Sequence, residues 1–204
     1  MFDWFTRVCN CTSPTAQAQA FDIAPERSQA FSMPARQISV QKISADDPSM
    51  SADIALIQSA WSNTEANTEA LFVLNMFRDM AIDAQSGSDI GLIFKCSASG
   101  GTTGLINIRD SGDCLVVHAI VTAPGNRGAG RSLISKAIEV SHEAGYRGNL
   151  LVEAKDSSIG FYEHIGFIRT EPGGDVLELD PGRSPYWQQP SAAQQPGGPA
   201  PARG

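Results

Sequence analysis

The sequence predicts a single mixed α/β domain, one sheet flanked by helices in the order β-α-α-β-β-β-α-β-α-β-β. Three observations predict it. Strand and helix periodicities alternate between residue 36 and about residue 180. The run CLVVHAIVT at 114–122 is almost continuously apolar, as in a strand buried on both faces. That run then passes through a glycine-rich turn into an amphipathic helix. With 204 residues, 42% of them hydrophobic, the chain can build one core and lies outside the disordered range.

Each element follows from a local pattern. RQISVQKIS at 36–44 alternates polar and apolar and predicts a half-buried strand. Helices are predicted over 53–61 and 65–80, the second with Leu71, Leu74, Met76 and Phe77 as its apolar face. Strands at 90–97 and 104–109 flank SGG, a hairpin signal. The strand at 114–122 is followed by PGNRGAG and a helix over 132–144. Leu133, Ile134, Ala137, Ile138 and Ser141 keep its 3.6 period, and Gly145 ends it. A strand follows at 149–154. Asp156 is placed to cap a helix over 157–165, closed by Gly166. A final hairpin pairs 167–171 with 176–180 around PGG.

The ends differ in composition from this middle. Residues 1–35 follow an aromatic start, FDWF, with Ala, Gln, Ser, Thr and Pro, and predict a flexible leader. Residues 182–204 hold five prolines among Gly, Ala and Gln, and predict a disordered tail. The domain is therefore expected over 36–181. The net charge is −7, and 19 of the 22 acidic residues lie in 36–180 against 11 of the 15 Lys and Arg. That excess disfavours a nucleic-acid partner and suits a cationic one. No apolar run approaches the length of a bilayer span. Cys9, Cys11, Cys96 and Cys114 give neither a disulfide framework nor a zinc spacing, so a reducing compartment and no metal are expected. With no apolar signal-peptide core after Met1, the expectation is cytoplasmic, with non-Sec export of a bacterial effector as the alternative.

The turn Gly125-Asn126-Arg127-Gly128-Ala129-Gly130-Arg131-Ser132 carries the strongest chemical signal. Between a buried strand and a helix start, unpaired N–H groups, glycines and two arginines together make an anion site. GNRGAGRS departs from the Walker pattern by placing Arg131 where lysine belongs, and only 72 residues follow Ser132. GAGRSL lacks the third glycine of a dinucleotide fingerprint.

A third pattern fits better. PGNRGAGRSLI resembles the pyrophosphate loop [QR]xxGx[GA] of the GNAT superfamily of acyl-CoA-dependent N-acyltransferases. Arg127, Gly130 and Ser132 occupy its positions, serine replacing the final small residue. FYEHIGF at 161–167 resembles the family's FYxxxGF, although Lys155 and Ser158 stand where Asn and Ala are frequent. The element order is also the family's, so the resemblance spans about 36–180.

The resemblance implies a GNAT-type sheet and transfer of an acetyl group from acetyl-CoA to a primary amine by direct attack. The implied coenzyme contacts are Ile120, Val121 and Thr122 for the pantetheine arm. Arg127, Gly128, Ala129, Gly130, Arg131 and Ser132 would hold the pyrophosphate, with Phe161 beside them. Tyr162 is the implied acid for the departing thiolate. Strand alternation puts His118 on the face of Val116 and Ile120, and it or Glu153 is the expected base. Cys114 shares that parity without a nucleophile's setting, and His142 and His164 fall on helix surfaces. Asp79, Asp83, Asp89 and Asp175 are candidates for orienting a cationic amine. A homodimer, or a protein partner reached through the termini, is compatible with this reading. The alternative class is a catalytically weak GNAT-like acyl-CoA-binding or effector and adaptor domain.

Overall fold

The computed structural model describes residues 38–62 and 67–188. The leader, with Cys9 and Cys11, and the tail beyond 188 lie outside the described residues. The chain runs β1 (Ile38–Ile43), α1 (Ser49–Trp61), α2 (Asn67–Gln85), β2 (Leu92–Ala98), β3 (Gly101–Asp110) and β4 (Leu115–Thr122). It continues α3 (Ala129–Glu143), β5 (Leu150–Glu153), α4 (Asp156–His164), β6 (Ile168–Arg169), β7 (Val176–Leu179) and α5 (Pro185–Gln188). The seven strands form one sheet in the order β1-β2-β3-β4-β5-β7-β6, the β4–β5 pair being parallel. The predicted mixed sheet and its element order are those of the structure, with α5 added at the end.

Local chemistry explains the elements. The β2–β3 hairpin closes on Ser99 and Gly100, both at positive φ (53° and 82°), as a two-residue turn with primed geometry demands. Helix α4 begins at Asp156 itself, after Lys155, whose side chain makes no capping bond; Asp156 is therefore an acidic first-turn residue and not the cap. Helix α3 starts three residues before the predicted 132, because Gly128 at φ 89° turns the chain directly into it.

Two layers cover the sheet. On one face, α3 lies so close to β3 that a Cβ on Gly104 would come within 3.1 Å of Leu133 Cδ1 and 3.0 Å of Thr122 Cγ2. Ile106, Val117, Ile120, Leu150 and Leu177 are buried, and cross-strand register places them on this face with Gly104. On the other face, Leu74 and Phe77 of α2 and Ile54, Ile57 and Trp61 of α1 are fully buried. There α1 is also tied to the sheet by a part-buried ion pair. Asp53 meets Lys95 Nζ of β2 at 3.0 Å and accepts the Thr102 hydroxyl of β3 at 2.6 Å.

The domain end expected at 181 falls short of the packed chain. Ser184 is buried, and Tyr186 and Trp187 pack against the core. Two aromatic residues in a proline- and glycine-rich setting supply enough apolar area to order that segment.

Truncating Asp53 removes the charge-assisted bond to Lys95 and the one from Thr102, so Asp53→Ala is expected to lower unfolding free energy by roughly 2 kcal/mol. Urea denaturation measures it, and a loss below about 1 kcal/mol would assign the pair no more than a surface bridge's weight.

Candidate active site

The site follows from how β4 leaves its neighbour. β4 and β5 pair only over Leu115–Val117 with Leu150–Val152. β5 ends at Glu153, and the next amide, Ala154, donates to the Asp175 carbonyl beside β7 at 2.8 Å. β4 meanwhile continues alone on that side to Thr122.

The parting coincides with a bulge. β3 and β4 are in register from Gly104–Thr122 to Asn107–Ala119, then resume at Ile108–Val117, leaving His118 as an extra residue. The bulge also corrects the strand-face expectation. Ile120 pairs with Ile106 on the α3 side, with Val117, whereas Val116 pairs with Arg109 on the other side. His118 therefore does not share a face with Ile120 by simple alternation.

The divergence opens a cavity of about 370 Å³. His118 and Ile120 of β4, Glu153 at the end of β5, Tyr162 of α4, and Glu69, Phe72, Val73 and Met76 of α2 line it. All three expected catalytic residues thus border one space. Tyr162 is 3% exposed and packs edge-to-face on Phe161 and Phe167 at 5.1 and 5.2 Å. Partial burial first, and the Arg109 guanidinium second, hold His118 below the ordinary imidazole value, so its neutral form is favoured. Two bridges join α2 to the start of α4 and the residue before it, beside the cavity. The Ser157 hydroxyl donates to Glu69 at 3.0 Å, and Lys155 Nζ lies 4.2 Å from the centre of the Phe72 ring.

The glycine turn lies beyond the far end of β4. Gly125 and Gly128 have positive φ, 76° and 89°. The first turn of α3 contains no acidic residue, so nothing in it neutralises the positive helix end. Arg127 and Arg131 are exposed there, Ala129 is buried at 1%, and the Ser132 amide is already bonded to the Gly128 carbonyl at 2.9 Å. Thr122, Gly128, Gly130, Arg131 and Phe161 share a smaller hollow of about 90 Å³ with His164 and Tyr186. The Thr122 carbonyl accepts the Trp61 indole N–H at 2.9 Å, and Val121 is buried at 1%.

Other expected residues fall elsewhere. Of the four candidate aspartates only Asp175 lines the large cavity; Asp89 instead caps the Gly91 amide at 3.0 Å. Cys114 sits 3.3 Å from the Ser111 hydroxyl and lines neither the large cavity nor the smaller hollow. His142 is exposed, and His164 packs on Tyr186 with ring centres 6.1 Å apart. Sequence reasoning missed Glu69, Phe72 and Val73. Their signal was present: with Met76 they recur at i, i+3, i+4 and i+7, a second stripe beside the predicted apolar face. A wider hollow of about 510 Å³ between 42–46 and 88–93 holds none of the expected catalytic or coenzyme residues. Among the described residues no helix is long and apolar enough to cross a membrane, and no group of three His, Cys, Asp or Glu is placed to hold a metal.

The fold is shared with solved acetyltransferase structures. The PaiA N-acetyltransferase of Thermoplasma acidophilum in complex with coenzyme A is 17% identical, at a TM-score of 0.50, over 71% of this chain and 99% of that one. A GCN5-related N-acetyltransferase from Rhodopseudomonas palustris is 13% identical, at 0.52, over 72% and 98%. An acetyltransferase from Streptococcus agalactiae is 16% identical, at 0.51, over 69% and 95%. No curated protein matches the chain. The family profile described as "Acetyltransferase (GNAT) domain" matches residues 63–176, more than half of the sequence. With both motifs and the split sheet inside or beside that span, the chain belongs to the GNAT acetyltransferase family.

Proposed function

We propose that the protein is an N-acetyltransferase that moves the acetyl group of acetyl-CoA to a primary amine. The observation that carries this reading is the convergence of His118, Glu153 and Tyr162 on one cavity where β4 and β5 part. Coenzyme A fits the rest of the cleft by charge. The α3 N-terminus, open at Gly128 and flanked by Arg127 and Arg131, suits the pyrophosphate. The stretch of β4 at Ile120 and Val121, beyond its pairing with β5, suits the pantetheine amides. Glu69, Glu153 and Asp175, against Lys155, give the cavity an acidic lining that suits a cationic amine. A non-catalytic adaptor draws no comparable support from this arrangement.

In this reading the amine nitrogen, freed of its extra proton, attacks the thioester carbonyl carbon. A C–N bond forms as the carbonyl electrons move to oxygen, and their return breaks the C–S bond. The proton lost by nitrogen passes to His118, whose neutral form is favoured because burial and Arg109 lower its pKa. The departing thiolate takes a proton from the Tyr162 hydroxyl. With ordinary values of about 10 for tyrosine and about 8.5 for a thiol, that transfer is modestly uphill and needs the enclosed site. The phenol regains its proton through solvent after release.

Three measurements test these roles. Tyr162→Phe is expected to lower kcat by about tenfold or more while coenzyme A affinity stays within roughly twofold. Unchanged kcat removes Tyr162 as the acid. In the pH profile of kcat/KM, the acid limb should lie below about 6.5, the ordinary imidazole value, because the neutral base persists to lower pH. His118→Ala should abolish that limb; a limb that survives intact transfers the base role to Glu153. Arg127→Ala should weaken coenzyme A binding by about tenfold in calorimetry, the worth of roughly one charge-assisted contact. An unaltered dissociation constant refutes the pyrophosphate assignment.

A further inference from the structure

Helix α5 lies beyond residue 176, where the family match ends. It nevertheless meets both coenzyme motifs. The Arg131 guanidinium carbon stands 4.7 Å from the centre of the Tyr186 ring and 5.6 Å from that of Trp187. Trp187 donates its indole N–H to the Ile165 carbonyl, at the end of α4, at 2.7 Å. The two rings brace each other edge-to-face at 5.2 Å, and His164 packs against Tyr186 from α4. Ser184, leading into α5, fills with its Oγ the space that a Cβ on Gly166 would occupy.

We infer that residues 184–188 are an aromatic strap that positions Arg131 for the coenzyme's phosphates, with Tyr186 as the positioning residue. Arginine side chains at an exposed helix start sample many rotamers, and binding a phosphate must freeze them. A guanidinium held 4.7 and 5.6 Å from two ring centres is already partly ordered. Tyr186 itself borders the hollow that Gly128, Gly130 and Arg131 share. The strap thus joins the glycine turn to the FYEHIGF segment through side chains that neither motif contains. The inference rests on the coenzyme reading proposed for the cleft.

The test is a mutant cycle on the full chain, titrated with coenzyme A by calorimetry. Tyr186→Phe keeps an aromatic face and should leave the dissociation constant within about twofold. Tyr186→Leu should raise it about 3- to 10-fold, and raise KM for acetyl-CoA with little change in kcat. In an Arg131→Ala background the same Leu substitution should have almost no further effect. Arg131→Lys keeps the charge but loses planar stacking, and should also weaken binding about 3-fold or more. Where the Leu variant does not fold, the Lys variant decides the question alone. A Leu effect that persists without Arg131, a Phe variant as weak as Leu, or a Lys variant equal to wild type overturns the strap's role. Wild-type protein that binds no coenzyme A overturns the coenzyme reading itself, and the strap with it; tight binding with no Tyr186–Arg131 coupling overturns the strap alone.

Discussion

The architecture depends on one interruption in a hydrogen-bond ladder. Three residue pairs join β4 to β5, and there the parallel ladder stops. A strand buried at the centre of a sheet normally has both edges satisfied, because an unpaired buried amide or carbonyl is costly. Here one edge of β4 is left for something else to satisfy. An extended molecule with amides of its own meets that requirement in the way a missing strand would. The bulge at His118 marks where pairing is given up, and it turns an imidazole toward the space that results. The glycine turn follows directly where β4 ends at Thr122.

Charge divides the cleft along its length. The protein is acidic overall, and Glu69, Glu153 and Asp175 surround the cavity, yet Arg127 and Arg131 stand together at the α3 start. In the proposed reading this separation sorts an anionic coenzyme to one end and a cationic amine to the middle before either is held closely. The imidazole pKa is lowered by other means: burial first, and the charge of Arg109 on the neighbouring strand second.

Much of this was legible in the sequence, for identifiable reasons. Continuous apolar character revealed β4, and glycines at obligatory positive φ revealed the turn after it, because both are local constraints. The order of elements followed from periodicity. What stayed hidden was set by pairing. Nothing in LVVHAIVT announces that His118 is the extra residue of a bulge, so strict alternation assigned Ile120 to the wrong face. The sequence showed Asp53 only as the first residue of a predicted helix, because its partners Lys95 and Thr102 are distant in the chain. The ordered segment after 181 was hidden by composition: prolines and glycines outweighed two aromatic side chains whose partners, Arg131 and Ile165, lie on other elements.

Ser184 carries a further consequence. Its hydroxyl is buried without a hydrogen-bond partner, and its location is one that only a glycine at 166 leaves open. Such an orphaned hydroxyl opposes docking by about 1 to 3 kcal/mol. Aromatic packing and the Trp187 indole bond therefore hold the segment against an opposing term built into the same contact. Any side chain at 166 would collide with Ser184, so the docking of the C-terminal segment depends on a glycine that lies in a different motif.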